Sequence, residues 1–268
     1  MALTVGDYLA SGKLQDAIDG ATTDVRARPG DAGARYILAQ LLCIKGEFER
    51  ADGQLNTIAQ QEIKLRPAVT TLRQVIRAEQ ARRQFFDEGR LPEFLRPPPD
   101  HIKLHLEAIV SLRAGASGKA VELLERAEEI RPHATGTCNG HPFDDFRDLD
   151  DMTASYFEIL TVTGKFYIVA IEDVTRLEFH QPENPCDLIW RRVEIAIREG
   201  LDGEVYMPAI YAAKEGSEES ALVGRSTEWI GGGGTPTRGV GQRSFLVGEE
   251  DMPIMQLAAI EFTTDAAH

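Results

Sequence analysis

The stretch HATGTCNGHPF, residues 133–143, divides this 268-residue chain into two halves with different hydrophobic periodicity. Before it, from Leu3 to about Arg131, apolar residues recur at helical spacing, and glycine and proline fall between the apolar segments. After it, short segments rich in β-branched and aromatic residues are separated by turn residues, which is typical of strands. The change of period predicts an α+β fold with an all-α half followed by a β-rich half.

The helical half repeats a pattern in which a glycine precedes an alanine by five residues, with a proline twelve residues later in two of three cases. Glycine ends one helix, the small alanine allows the next helix to pack closely, and proline cannot continue it. This pattern predicts degenerate helical hairpins of the tetratricopeptide type over residues 1–133. The three occurrences are Gly12–Ala17–Pro29, Gly46–Ala51 and Gly115–Ala120–Pro132.

The second half contains seven segments that we predict as strands. Gly164 and the pair Glu172-Asp173 are short enough for hairpin turns, so neighbouring strands are expected to pair antiparallel. We therefore predict a barrel-like, mostly antiparallel domain over residues 150–268, joined to the helices by an acidic interdomain segment, residues 134–149. The predicted strands are 156–163, 165–172, 174–180, 192–198, 204–211, 243–248 and 254–262.

The net charge of −14 lies entirely in the second half of the chain. Residues 1–133 carry 19 Lys and Arg against 19 Asp and Glu, whereas residues 134–268 carry 10 against 24. This distribution disfavours nucleic acid and anionic membranes as partners, and it suits a basic peptide or a divalent cation. The apolar stretch Tyr36–Ile44 is too short to span a membrane, and three widely spaced cysteines suit a reducing compartment, so we predict a cytoplasmic protein.

The densest charged feature is FDDFRDLDD, residues 143–151. Its aspartates suit three roles that the sequence leaves open: capping of an interdomain turn, contact with a basic partner, or binding of a divalent ion. The spacing of an EF-hand loop is absent. The third role is the basis of an alternative function, a metal-dependent hydrolase or small-molecule-binding protein centred on Asp144–Asp151 and Arg225.

Other motifs do not support catalysis. The loop GGGGTPTRG, residues 231–239, lacks the Lys-Ser/Thr pair of a phosphate-binding loop, and Cys138 with His141 supplies too few ligands for zinc. No nucleophile motif is recognisable, so we predict no catalytic residue, no cofactor and no metal site. Glu79 and Arg83 are spaced for an ion pair on a helix, either at the surface or buried in a positioning role.

Five sequence blocks, in this order, resemble the ImpE family, also named SciE or TagJ, which accompanies bacterial type VI secretion. The resemblance covers nearly the whole chain. The blocks are LRQVIRAEQARRQFFDEGRLPEFL (72–95), DFRDLDDMTASYFEILTVTGKFYIV (145–169), DLIWRRVEIAIREGLDGEVYMPAIY (187–211), LVGRSTEWI (222–230) and VGQRSFLVGEEDMPIMQLAAIEF (240–262).

The resemblance implies a non-enzymatic accessory protein with a helical-repeat domain joined to a β-containing domain. It also implies partners: the N-terminal helix of the small contractile-sheath subunit and the AAA+ ATPase that disassembles the sheath. It brings no catalytic motif that can be placed on this chain. The residues that we predict to contact a partner are Asp148, Asp150, Asp151, Arg225 and Trp229.

Overall fold

The computed structural model of the chain describes residues 4–198, 200, 202–212 and 216–263. Its helices are α1 (Val5–Ala10), α2 (Leu14–Ala27), α3 (Ala32–Lys45), α4 (Phe48–Gln61), α5 (Arg66–Glu88), α6 (Asp100–Arg113), α7 (Ser117–Ile130) and α8 (Glu219–Leu222). Its strands are β1 (Gly136–Cys138), β2 (His141–Phe143), β3 (Phe146–Asp148), β4 (Tyr156–Leu160), β5 (Phe166–Ala170), β6 (Val174–Phe179), β7 (Trp190–Ile197), β8 (Asp202–Pro208), β9 (Thr227–Ile230), β10 (Arg238–Gly241), β11 (Ser244–Val247), β12 (Glu250–Pro253) and β13 (Ala259–Phe262).

The first half consists of helices joined by tight turns, and the predicted glycines lie in those turns. Gly12, Gly46 and Gly115 adopt left-handed conformations, with φ of 71°, 84° and 76°. Glycine adopts this conformation without the strain that a Cβ atom would introduce. The alanine five residues after each glycine is 0% exposed, so successive helices approach closely there. The helical hairpins predicted from the glycine and alanine spacing are confirmed.

The second half is built on one eight-stranded sheet with the order β2-β1-β13-β6-β7-β8-β4-β5, in which every neighbouring pair is antiparallel. In the described part of the chain, β2 and β5 end the sheet without pairing with each other, so the barrel-like closure that we predicted is wrong. The segment after α5 covers the free edge of β5. The Glu93 amide donates to the Phe166 carbonyl at 2.9 Å, and the Ile168 amide donates to the Glu93 carbonyl at 3.1 Å.

Two further expectations need correction. The turn at Gly164 joins the antiparallel pair β4 and β5 as predicted, but Glu172-Asp173 does not close a hairpin. A single 3-10 turn, Ile171–Asp173, instead carries the chain to β6, which pairs with β7 and β13. The segment 134–149, expected as a linker, contains β1, β2 and β3. The boundaries of independently folding domains stay a prediction.

The sheet is covered on both faces, and β4 shows this by alternation. Tyr156 and Leu160 belong to an apolar cluster shared with α2–α7, whereas Phe157 and Ile159 belong to a second cluster on the opposite face. That second face packs against the small sheet β12-β11-β3. The two halves of the chain therefore share a core. No helix within the described residues has both the length and the apolarity needed to cross a membrane.

Candidate interaction site

Helix α5 carries three charged residues, Glu79, Arg82 and Arg83, at positions i, i+3 and i+4, which lie on one helix face. Glu79 and Arg82 are only 4% and 2% exposed, and the Arg82 Nη1 atom lies 3.3 Å from Glu79 Oε1. Arg83 Nε donates to the same oxygen at 3.1 Å, and Trp190 Nε1 donates to Glu79 Oε2 at 3.3 Å. The sequence leaves two interpretations of the Glu79–Arg83 pair, one at the surface and one buried in a positioning role. The buried interpretation describes Glu79, whereas about a third of the Arg83 side chain is exposed.

Glu158 of β4 is the centre of this buried network. It is 0% exposed and accepts two hydrogen bonds from Arg82, Nε to Oε1 at 2.9 Å and Nη2 to Oε2 at 3.1 Å. Arg243, just before β11, also donates to Glu158 Oε2. Burial acts to raise the pKa of Glu158, but the charges of the two guanidinium groups hold that pKa below its ordinary value. Glu158 therefore stays ionised and joins α5, β4 and the segment before β11.

Asp148, at the end of β3, extends the network toward the acidic segment. Its Oδ2 atom lies 3.1 Å from Arg243 Nη1, and its Oδ1 atom accepts from the Tyr211 hydroxyl at 2.8 Å and from the Asp150 amide at 2.9 Å. Burial raises the pKa of Asp148 to about 6, although the Arg243 charge opposes the rise. Asp148 is thus an internal partner of Arg243 and Tyr211.

Asp150 is buried as well and fixes the position of β10. Its Oδ1 atom accepts from the Met152 amide at 2.8 Å, and its Oδ2 atom accepts from the Gly239 amide at 3.0 Å. Arg238 Nε lies 3.3 Å from Oδ2. Burial raises the pKa of Asp150, while the Arg238 charge and the two amides act in the opposite direction. A carboxylate bound to backbone amides in this way has the turn-capping role, which is one of the three roles that the sequence leaves open for the acidic segment.

Asp151 marks the place where the acidic segment reaches the surface. Its side chain is 35% exposed, its Oδ2 atom accepts from the Thr237 amide at 2.7 Å, and its Oδ1 atom lies 3.2 Å from Arg147 Nη2. Arg147 Nη1 also lies 3.2 Å from Glu128 of α7. Asp151 therefore stands between the β9–β10 loop and helix α7, with its charge only partly compensated.

The other two residues predicted to contact a partner lie on the β9 side of the molecule. Trp229 of β9 is 41% exposed, and its ring meets the Tyr211 ring edge-on with centroids 5.9 Å apart. Arg225 is exposed in the turn after α8, where its amide donates to the Ser220 carbonyl. Trp229 thus rests on a residue of the buried network and keeps part of its apolar ring exposed.

The structure changes the interpretation of the acidic segment. Asp148 and Asp150 offer no surface to a partner, because each is buried and already paired with an arginine, which corrects the prediction for these two residues. Asp151, Arg225 and Trp229 are accessible, and their contact with a partner stays a prediction. The hydrolase alternative loses two of the carboxylates on which its metal would depend. Sequence reasoning missed the central role of Glu158, since a single glutamate in an apolar strand is the only signal.

Among the described residues, one group of three potential metal ligands comes together, and it lies away from the acidic segment. The ligand atoms of His180, just after β6, Glu194 of β7 and Glu204 of β8 lie within 4.8 Å of one another. Arg192 lies against the same group, with Nε 3.7 Å from Glu204 and Nη2 3.4 Å from His180 Nδ1. That guanidinium already neutralises part of the negative charge that would attract a cation.

Both the sequence and the fold of this chain are similar to those of known proteins. Residues 140–261 match the family model of the ImpE protein. The type VI secretion system accessory component TagJ of Pseudomonas aeruginosa is 30% identical, over 99% of this chain and 94% of that protein. The crystal structure of protein VPA1032 from Vibrio parahaemolyticus superposes with a TM-score of 0.89 at 28% identity, covering 97% of this chain and 98% of that one.

Proposed function

The chain belongs to the ImpE family, and from this premise we propose that it is an accessory protein of a bacterial type VI secretion system. The observation that carries the proposal is the 30% identity with TagJ of Pseudomonas aeruginosa over 99% of the chain. Because the identity extends over both halves, the proposal concerns the whole molecule, helices and sheet together.

We propose further that the protein works in the cytoplasm as a binding protein rather than an enzyme. Its ligand is the N-terminal helix of the small contractile-sheath subunit, and it assists the AAA+ ATPase that disassembles the sheath. Helical hairpins suit this task, since they leave grooves that accept an amphipathic helix through residues at i, i+3, i+4 and i+7. The acidic second half of the chain favours a helix that carries basic side chains.

The buried network also supports a docking role, because it holds the helices and the sheet in fixed positions. Glu158 fixes α5 on the sheet, and Asp150 fixes β10, so surfaces formed jointly by helices and strands keep their shape. A surface that is already ordered loses little conformational entropy when a partner binds.

The experiment is capture of the sheath small subunit by the purified full chain. The intact subunit and a synthetic peptide of its N-terminal segment are expected to bind, with a Kd on the order of 1 μM or lower, or about −8 kcal/mol. A peptide of the same composition in scrambled order is the control. Equal capture of a subunit that lacks the N-terminal segment would show that the helix is not the ligand.

The ATPase part of the proposal has its own measurement. The rate at which the ATPase disassembles purified sheaths is compared with and without the full chain. We expect the added chain to change this rate, and a chain variant that no longer binds the sheath peptide to have no effect. An unchanged rate with the parent chain would refute assistance to the ATPase and leave binding of the sheath subunit intact.

A further inference from the structure

A groove with a volume of about 440 Å³, partly open to solvent, lies between α7 and the loop that joins β9 to β10. Its floor is apolar. Leu124 of α7 and Ala154 are buried, Pro236 of the loop is buried on the other side, and Val121 is half-exposed one helical turn before Leu124. A cavity of this size and composition accepts apolar side chains of a partner, because filling it removes apolar surface from water.

The rim of the groove is acidic. Glu125, Glu128 and Glu129 follow Val121 and Leu124 on α7, and Asp151 faces them from the sheet side. Arg147 is the one basic residue that lines the groove, and it is shared between Glu128 and Asp151 at 3.2 Å each. Within the residues that the structure describes, Glu125 and Glu129 have no ion-pair partner.

The position of these glutamates in α7 increases the negative potential of the rim. Glu128 and Glu129 lie in the last turn of α7, which ends at Ile130, and this last turn contains no basic residue. The C-terminal end of a helix dipole is negative and favours cations. Arg131, just beyond the helix, contacts Glu128 but is also bound to Asp145. The charge of Glu129 therefore adds to the dipole instead of opposing it.

We propose that this groove docks a basic amphipathic helix. An apolar side chain of the helix occupies the cavity over Leu124 and Ala154, and lysine or arginine side chains one turn away pair with Glu125 and Glu129. The inference rests on the proposed function, because the helix that it assigns to the groove is the N-terminal segment of the small sheath subunit. It adds the docking surface and the chemistry by which that segment is recognised.

The test measures anisotropy of a labelled synthetic peptide of that N-terminal segment with the full chain, at about 50 mM and about 500 mM salt, since salt screens charge pairs at a rim. The double variant Glu125→Gln, Glu129→Gln is expected to bind about 3- to 10-fold more weakly at low salt and to lose most of the salt dependence. Reversal of both residues to Lys is expected to weaken binding further.

A third variant tests the apolar floor separately from the charges. Val121→Trp places a large ring over the cavity at a half-exposed helix position, and we expect it to weaken binding at both salt concentrations.

The matched control for the double variant Glu125→Gln, Glu129→Gln is Glu107→Gln with Glu122→Gln, which changes the net charge equally. Both control residues are exposed, Glu122 lies on α7, and neither lines the groove. Its affinity should stay within about 2-fold of the parent, and thermal melts confirm that each variant is folded.

The outcomes separate the two proposals. If the parent chain binds the peptide and the groove variants bind it equally well, the groove is the wrong surface and the proposed function stands. If the parent chain does not bind the peptide, the proposed function fails and the assignment of the groove fails with it. If the parent chain sediments as a dimer that the Lys variant dissociates, a second copy occupies the groove and the inference is overturned.

Discussion

Arg82 of α5 and Glu158 of β4 face each other at the junction of helices and sheet, joined by two parallel hydrogen bonds of 2.9 and 3.1 Å. Both side chains are almost completely inaccessible to water. A bidentate pair of a guanidinium and a carboxylate fixes direction as well as distance, so this contact sets how α5 lies on the sheet.

The first prediction concerns Glu158→Gln. The change keeps the shape of the side chain but leaves Arg82 and Arg243 buried without their shared countercharge, which typically costs about 3–5 kcal/mol. We expect a loss of this size in the free energy of unfolding, measured with urea at neutral pH. Glu47→Gln is the control, because its partner Arg50 is exposed at the surface and such pairs contribute about 0–1 kcal/mol. Equal effects of the two changes would show that the network does not hold the halves together.

The second prediction concerns pH and His105 of α6. Burial lowers the pKa of His105 to about 3, and its ring meets the Tyr156 ring edge-on at 5.5 Å. The His105 ring therefore binds a proton less readily in the folded state than in the unfolded state. Its contribution to the free energy of unfolding falls as the pH drops below the unfolded pKa of about 6.5. Between pH 7 and pH 5 the loss due to His105 amounts to about 2 kcal/mol.

His105→Phe retains an aromatic ring against Tyr156 and removes the titration. Urea unfolding at both pH values should therefore show a smaller decrease for the variant than for the parent. An identical decrease in the two proteins would mean that other groups account for the acid sensitivity.

The third prediction concerns Gly239, which lies opposite Trp229 in the β9–β10 pair. A Cβ atom added at Gly239 would lie 2.1 Å from the Tyr211 ring, so Gly239→Ala must displace the tyrosine whose hydroxyl binds Asp148. We expect a loss of at least about 1–3 kcal/mol in unfolding free energy. Gly203→Ala in β8 is the matched control, because nothing lies within 4 Å of its added Cβ. The prediction fails if both changes have equally small effects.

The fourth prediction concerns the two tryptophans. Trp190 is 3% exposed and donates to Glu79, whereas Trp229 is 41% exposed. Replacing Trp229 by Phe should remove the component of fluorescence that acrylamide quenches and leave a protected emission from Trp190. Trp190→Phe should leave a quenchable emission. Strong quenching of the remaining signal in the Trp229 variant would contradict the burial of Trp190.

Hydrophobic spacing was sufficient to predict the class of fold, because glycine turns and alternating strands are local features. Gly46 and Ala51, for example, predict a tight helical hairpin although they are only five residues apart. The open sheet could not be predicted in the same way. Its free edge is covered by Glu93, and the pairing of β13 with β1 and β6 joins residues that are far apart in sequence.

The candidate site was predicted only in part, and the reason is electrostatic. A run of aspartates such as residues 144–151 suggests an exposed surface, but the sequence does not show that Arg238 and Arg243 compensate two of them internally. Asp148 and Asp150 can be buried because Arg243 and Arg238 pair with them in the folded state. These arginines lie about ninety residues further along the chain. Asp151, which lacks such enclosure, remains at the surface.

The long sequence separation between Arg82 and its partner also matters while the protein is being made. Glu158 follows Arg82 by 76 positions, so at about 5–20 residues per second the ribosome adds it roughly 4–15 s later. During that interval the nascent helices present the face of α5 with no sheet to receive it. Glu79, only three residues before Arg82, is available from the start and can hold the guanidinium until β4 emerges. Assembly of the core is therefore expected to wait until the acidic half has left the exit tunnel.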